Sequence, residues 1–240
     1  MKAIILAAGK STRLRPITDK IPKTLLQVNN KEIISYMLDS LQNNGVKDIV
    51  ICVGYRAKQI KEYCSKNYPN LNFVFVENKD YENTNNMYSL YLARDNFDDD
   101  IILFNGDTIH EPVIIQKMLK QQNTAMAVDT NSYDKESMKL IVDETGKIIK
   151  MSKEIPPKQC YGCSVDIFLI KKNDLIAVKN ELERIIEKGK NVNEWIEVMF
   201  ENLFRAAIIN ATAIDVDNKN WYEIDTYEDL MGARKLFENN

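Results

Sequence analysis

Two stretches of this chain carry residue types and spacings suited to holding phosphates. The first is Leu6-Ala7-Ala8-Gly9-Lys10-Ser11-Thr12-Arg13, directly after the apolar run that begins at Lys2. Alanine and glycine let a ligand approach the backbone, consecutive amides can hold an anion, and Lys10, Ser11, Thr12 and Arg13 add donors. An ordinary turn with a surface lysine and arginine has the same composition, so the loop alone does not choose. It is neither a G-x-x-x-x-G-K-[ST] loop nor G-x-G-x-x-G. The second stretch is Ile21-Pro22-Lys23-Thr24-Leu25-Leu26. Pro22 stiffens it, and a lysine fixed near the first loop would neutralise a phosphate as a point charge.

Carboxylates mark two further places. Asn105-Gly106-Asp107 follows the apolar run Ile101 to Phe104. An aspartate at the carboxyl end of a strand, beside nucleotide phosphates, suits Mg²⁺. Trp221-Tyr222-Glu223-Ile224-Asp225 precedes the last helical stretch. Asp225 could be a second metal carboxylate, or it could cap that helix. Cys160-Tyr161-Gly162-Cys163 has no second cysteine pair to complete a zinc site, and the residues after it read as a strand, not as the helix a redox pair needs. His110 is the only histidine, which excludes mechanisms built on paired histidines.

The elements that must position these residues follow from the apolar pattern. Strands are expected at Lys2 to Leu6, Asp48 to Val53, Asn72 to Val76 and Ile101 to Phe104. Helices are expected between them, at Asn30 to Asn44, Arg56 to Lys66 and Asn85 to Arg94. This alternation predicts a parallel sheet with helices on both faces and ligands at the carboxyl ends of its strands. After residue 120 the rhythm changes to strands at Thr124 to Val128, Lys139 to Val142, Ile148 to Met151, Cys163 to Ile170 and Ala207 to Ile214. Helices are expected at Asp174 to Lys188, Asn193 to Phe204 and Thr226 to Phe237. The later strands are expected to extend the same sheet, giving one α/β domain over 1–240, with a nucleotide-binding half (1–120) and an acceptor-binding half (121–240).

The 240 residues suffice for a sizeable core. The net charge of −3 supplies no basic field for nucleic acid. The first apolar stretch is too short for a signal-peptide core with a cleavage site, and no later one approaches a membrane span. A cytoplasmic protein with reduced thiols and no membrane partner is therefore expected; the oligomeric state is left open.

Taken in order, LAAGKSTRLRP, PKTLL, the acidic residue after the fourth strand and the late aspartate resemble the nucleotidyltransferase family, which joins an NTP to a phosphorylated small molecule. The likeness runs along essentially the whole chain. Within the family the chain is most similar to the short cytidylyltransferases, through Asn83-Thr84-Asn85-Asn86-Met87-Tyr88-Ser89-Leu90, the pair Met138-Lys139 with Ser152-Lys153-Glu154, and Tyr222-Glu223-Ile224-Asp225. The resemblance implies a Rossmann-like, mainly parallel mixed sheet flanked by helices, as in nucleotide-diphospho-sugar transferases.

It also implies roles. The loop from Leu6 to Arg13 would hold base and phosphates, with Arg13 on the β- and γ-phosphates and Lys23 on the α-phosphate as the catalytic cations. Asp107 and Asp225 would hold Mg²⁺, with Mn²⁺ as a substitute. Asn85, Asn86 and Ser89 would face the cytosine. Lys139 and Lys153 are implied for the acceptor phosphate. Glu154, Tyr161, Ser164, Trp195 and Trp221 are candidates for its organic part, although the helical spacing of Trp195 from Met199 favours plain packing for that ring. The implied reaction is CMP transfer from CTP to a small phosphorylated acceptor, of phosphoglutamine type first and phosphocholine type second, in capsule or surface-polymer modification. A sugar-1-phosphate nucleotidyltransferase using UTP or dTTP is the enzymatic alternative. A catalytically inactive regulatory module of the same fold is the other.

Overall fold

The computed structural model describes residues 1–133 and 135–238. In chain order the first half holds β1 (Lys2–Ala7), β2 (Gln27–Val28), β3 (Lys31–Glu32), α1 (Ile33–Asn43), β4 (Asp48–Val53), α2 (Ala57–Asn67), β5 (Asn72–Glu77), α3 (Asn86–Leu92), β6 (Ile101–Asn105), β7 (Thr108–His110) and α4 (Pro112–Leu119). The second half holds β8 (Ala125–Asp129), β9 (Lys139–Val142), β10 (Ile148–Ser152), β11 (Gly162–Ile170), α5 (Leu175–Glu183), α6 (Ile196–Arg205), β12 (Thr212–Asp215), β13 (Trp221–Glu223) and α7 (Tyr227–Leu236). Residues 239 and 240, inside the expected domain range, lie outside the described residues. No helix among the described residues is long and apolar enough to cross a membrane.

One nine-stranded sheet spans both halves, in the order β10-β9-β11-β6-β1-β4-β5, with β8 on the far edge of β11 and β12 beyond it. The β6-β1-β4-β5 block is parallel, as the strand–helix alternation predicts. The strand β11 runs antiparallel to its neighbours β6, β8 and β9 and joins the halves. Because β1, β4 and β6 are covered on both faces, they read as continuous apolar runs, and their residues divide between two cores, one on each side of the sheet.

The elements differ from the sequence reading at several ends. The helix expected from Asn30 starts at Ile33, because Lys31–Glu32 pairs with Gln27–Val28 in a small hairpin. The strand expected from Ala207 is confined to Thr212–Asp215. The helix expected from Asn193 starts at Ile196, since Trp195 is extended at φ −84°, ψ 153°. The long helix expected to Lys188 is α-helical to Glu183 and continues as a π-helical turn over Arg184–Lys188. The short pair β7–β13 and the helix α4 between Asp107 and Thr124 carry too few residues of one period to have been read from sequence.

The carboxyl ends of β1, β4 and β6 crowd together. A Cβ on Gly106 would stand 2.5 Å from the Leu6 carbonyl oxygen, and the Gly106 N–H donates to that oxygen at 2.9 Å. Only glycine lets the turn after β6 lie this close to β1, and the turn delivers Asp107 beside the first loop.

Candidate active site

The β7–β13 pair brings the late carboxylates to Asp107. Glu223 pairs with Thr108 and Tyr222 with Ile109. The Ile224 N–H then donates to the Asp107 carbonyl at 3.0 Å. Strand alternation buries Ile224 and turns Glu223 and Asp225 to one side. Oxygens of Asp107, Glu223 and Asp225 lie within 4.8 Å of one another. Asp225 does not cap the following helix. That task falls to Thr226, whose hydroxyl accepts from the Asp229 N–H at 3.2 Å while the Asp229 carboxylate accepts from the Thr226 N–H at 2.7 Å.

Lys23 rises into this group from a single 3₁₀ turn, Lys23–Leu25, that follows the extended Pro22. Its neighbours Pro22, Thr24, Leu25 and Leu26 are buried, which fixes the direction of the lysine. The ammonium lies 3.0 Å from Asp107 Oδ2 and 2.9 Å from Asp225 Oδ1. Burial by itself would lower the Lys23 pKa, but the two aspartates outweigh it and hold the pKa above its ordinary value. The Asp225 carboxyl is likewise raised by burial and more than compensated by Lys23 and Arg13, so it stays below the usual range. The guanidinium of Arg13 meets Asp225 Oδ2 at 2.7 Å from an exposed position.

These residues stand at one end of a cavity of about 800 Å³. Leu6, Ala8, Gly9 and Arg13 line it from the first loop; Asn85, Asn86 and Ser89 from the α3 side; Lys153, Ser164 and Trp195 from the second half. Asp107 and Asp225 lie on its wall. The structure therefore joins most of the residues singled out in the sequence, among them Lys23 and Asp225, 202 positions apart.

Other candidates are placed elsewhere. Ala7 is buried as the last residue of β1. Lys10 pairs with Glu82 at the surface. Ser11, at φ 50°, turns its carbonyl to the Thr18 hydroxyl, and Thr12 opens a 3₁₀ turn, so neither lines the cavity. Lys139 is wholly buried, with its ammonium donating to the carbonyls of Lys135 and Ser137 at 2.9 Å. It braces the segment that brings Glu136, Ser137 and Met138 to the cavity wall. Glu154 and Tyr161 are exposed outside the lining. Trp221 gives its indole N–H to Asp129 at 3.0 Å.

Trp195 corrects the packing expectation. It is 46% exposed, lines the cavity and lies under the Lys153 ammonium, 4.9 Å from ring centroid to Nζ. One of the asparagines takes the capping role that the sequence allowed. Asn85 caps α3, accepting from the Asn86 N–H at 2.8 Å. Asn86 accepts from the Ile196 N–H at 3.0 Å, and the Ser89 hydroxyl accepts from Asn78 at 3.0 Å. Their side chains form a fixed wall.

Several lining carboxylates were missed by sequence reasoning, Asp166, Glu197 and Glu223 chief among them. Asp166 sits in β11 at φ 60°, beside a register shift between Ser164 and Phe168. Glu197 is in the first turn of α6, and both are over nine-tenths buried. Burial pushes Glu197 up to about 7. Burial, then Asp107 and Asp225, push Glu223 up to about 7. Asp166 is raised well above the carboxylate range by burial and by Glu223 and Glu197. The available signal was a lone acid inside an apolar run, at Asp166 and again at Glu197. His110 is buried in the core, with Nε2 against the Val165 carbonyl at 2.8 Å; burial lowers its pKa to about 4, so it is neutral near pH 7. Cys163 is buried in a strand, its Sγ against the Ser132 carbonyl at 3.3 Å, and Cys160 lies just before it.

The acidic trio also fits a divalent cation. Its donors are hard oxygens, and Asp107 Oδ1 is buried without a hydrogen-bond partner. With a cation there, Lys23 and Arg13 beside it, and a loop of small residues facing the same space, the site can collect several phosphates.

Comparison with known proteins agrees with this geometry. The nucleotidyl transferase family matches residues 2–139. A choline-phosphate cytidylyltransferase of Streptococcus pneumoniae is 45% identical, covering 100% of this chain and 99% of its own. A CTP:phosphoglutamine cytidylyltransferase of Campylobacter jejuni is 28% identical over 96% of this chain and 98% of its own, so the two acceptor types rank in the reverse of the order expected from sequence motifs. A solved CTP:phosphocholine cytidylyltransferase from Streptococcus pneumoniae superposes with a TM-score of 0.80 over 98% of both chains, at 23% identity, a likeness of fold. The chain belongs to the nucleotidyl transferase family and, within it, to the branch of short cytidylyltransferases.

Proposed function

We propose that this chain transfers CMP from CTP to a small phosphorylated acceptor that also carries a positive charge, phosphocholine being the type case, and releases pyrophosphate. The observation that carries the reading is the Lys23 ammonium held between Asp107 and Asp225, beside Arg13 and the Leu6–Gly9 loop, at one end of an open cavity. Full-length likeness to the choline-phosphate relative supports the nucleotide and the acceptor class.

The acceptor phosphate is already an anion, so its oxygen attacks the α-phosphorus without a general base. This accords with a sole histidine that is buried and neutral. The obstacle is charge: two anions must meet while a third leaves. Asp107, Glu223 and Asp225 would hold a divalent cation, Mg²⁺ or Mn²⁺, which supplies neutralisation of the α-phosphate as charge develops. Lys23 acts from the floor on the same phosphate. Arg13, exposed and paired with Asp225, takes the departing pyrophosphate. The Ala8–Gly9 backbone lies against the nucleotide, with the Asn85–Asn86 wall toward the base.

The far end of the cavity favours the cation. Asp166 and Glu197 face it with no salt bridge to a cation among the described residues, and Trp195 offers an aromatic face beside them. Burial holds these two acids toward their protonated forms; a quaternary or primary ammonium would favour their ionised forms, whereas the uncharged ring of a hexose phosphate offers them no such partner. A role in capsule or surface-polymer modification is part of the same proposal.

The test is pyrophosphate release with CTP, UTP and dTTP against phosphocholine, phosphoglutamine and glucose 1-phosphate. CTP with phosphocholine is expected to be the best pair. Preference for UTP or dTTP with the hexose phosphate overturns the reading. Absence of CTP and Mg²⁺ binding in calorimetry would instead mark a non-catalytic module.

A further inference from the structure

The loop after β1 gives its carbonyls to one corner of the fold. That corner is Gly54-Tyr55-Arg56, between β4 and α2, with Gln59 in the first turn of the helix. A Cβ on Gly54 would stand 2.7 Å from the Ala8 carbonyl oxygen, so glycine lets the corner close on the loop. The Tyr55 N–H donates to that oxygen at 2.9 Å. The Tyr55 hydroxyl lies 2.8 Å from the Thr18 carbonyl and 3.2 Å from the Asp19 carbonyl and donates to both. The Arg56 guanidinium also donates to the Asp19 carbonyl, and Gln59 donates to the Lys20 carbonyl at 3.0 Å.

Arg56 sets the direction of these bonds. Its Nε donates to the Tyr55 oxygen at 3.0 Å. A guanidinium only donates, so the Tyr55 oxygen accepts there and its one hydrogen is committed to the loop carbonyls. Arg56 holds this place at φ 51°, a left-handed conformation that a non-glycine residue adopts at a cost.

Thr18 carries the latch to the cavity. It is buried, and its hydroxyl donates to the Ser11 carbonyl at 2.9 Å. The Leu14 N–H donates to the same carbonyl at 3.1 Å and closes the 3₁₀ turn Thr12–Leu14, which carries Arg13. The place of Ser11 therefore sets the direction of Arg13. Ahead of the turn, the Ala8 carbonyl points to the corner, so across the planar trans peptide the Gly9 N–H points away from it. Gly9 lines the cavity, and its N–H donates to no group among the described residues.

We propose that Tyr55 and Thr18 are positioning residues for the triphosphate. Together they hold the loop from Ala8 to Lys20 in the form that aims Arg13 at the pyrophosphate end of the nucleotide and leaves the Gly9 N–H for a phosphate oxygen. The nucleotide half rests on the reading under Proposed function; the latch itself does not.

Tyr55→Phe and Thr18→Val each delete one hydroxyl and nearly keep the shape of the side chain, and Thr18→Ser gives the hydroxyl back. The probes are inorganic pyrophosphate with Mg²⁺, CTP and CMP, each titrated by calorimetry. Affinity for pyrophosphate and for CTP should fall about tenfold in Tyr55→Phe and in Thr18→Val, with CMP affinity and KM for phosphocholine within about twofold of wild type. Thr18→Ser should recover most of the loss. Amide exchange at Leu14, read without ligand, should be about tenfold faster in both hydroxyl deletions. Unchanged pyrophosphate affinity in either deletion overturns the positioning role, and so does an equal loss for CTP and CMP, which marks a general loosening of the domain. Unchanged Leu14 exchange overturns the latch. A wild type that binds pyrophosphate but prefers UTP with glucose 1-phosphate refutes the reading under Proposed function, and the pyrophosphate comparison still decides the positioning role.

Discussion

Lys23 Nζ and Asp225 Oδ1 stand 2.9 Å apart across 202 residues of chain, with Asp107 on the other side of the ammonium. The pair closes the floor of the cavity and makes one buried cation the partner of two carboxylates that also suit a metal. Lys23→Met should therefore remove the fixed charge for the α-phosphate without disturbing the apolar turn that carries it. Turnover is expected to fall about 10²–10³-fold, the range for loss of one preorganised charge at a reacting centre. Pyrophosphate release at saturating CTP measures it, and a circular dichroism spectrum like that of the wild type shows that the fold persists. Near-normal turnover would remove Lys23 from the chemistry.

How far the sequence disclosed this site depends on what marks each residue. Leu6 to Gly9 and Asp107 were legible because small residues and glycine punctuate the ends of apolar strands. Lys23 was legible because proline precedes it and apolar residues follow. Glu223 lay in a stretch already singled out, yet its place beside Asp107 is set by the three-residue pair β7–β13, too short to show a period. Asp166 and Glu197 sit inside apolar runs whose periodicity speaks for core, and only a strand irregularity and a helix start turn them to the cavity. Lys139 misled for the converse reason: a lysine at the end of an exposed-looking loop is folded back to brace it.

Metal binding offers a second prediction. Asp107 Oδ1 is buried without a partner, and Glu223 and Asp225 converge on it. Titration of Mn²⁺ into the protein should show binding that Glu223→Gln and Asp107→Asn each weaken by about tenfold or more. Because a ligand of the native state stabilises it, Mn²⁺ at a hundredfold excess over its Kd should add about 2.7 kcal/mol to unfolding, and EDTA should remove it. Glu223→Gln binding Mn²⁺ as tightly as wild type would exclude that residue from the metal set.

The pH dependence of the metal-free protein follows from the raised carboxyls. Glu197 and Glu223 titrate at about 7 in the fold, against an ordinary value of 4.5. Between these values the folded state holds protons that the unfolded chain has released, so their contribution falls as pH rises from 4.5 to 7. His110 works in the opposite sense: its pKa falls from 6.5 to about 4, and its contribution is lost as pH drops through that window. Above 6.5 the carboxyls act without that opposition, and urea unfolding in EDTA should show stability declining toward pH 7.5. Glu197→Gln should flatten the decline. Stability that rises over this interval in the wild type would contradict the burial argument.

Thr226 permits the last prediction, because it frees Asp225 from the helix. The capping box between Thr226 and Asp229 satisfies the first donors of α7, and Asp229 also accepts the Asp225 N–H at 3.1 Å. Thr226→Ala should cost about 1 kcal/mol. In a chain of this size that lowers Tm by about 2–4 °C. Amide exchange at Asp229 should accelerate in Thr226→Ala and not in Asp225→Asn, whereas Mn²⁺ affinity should fall more in Asp225→Asn. The reverse pattern would make Asp225 the cap and leave the metal set one carboxylate short.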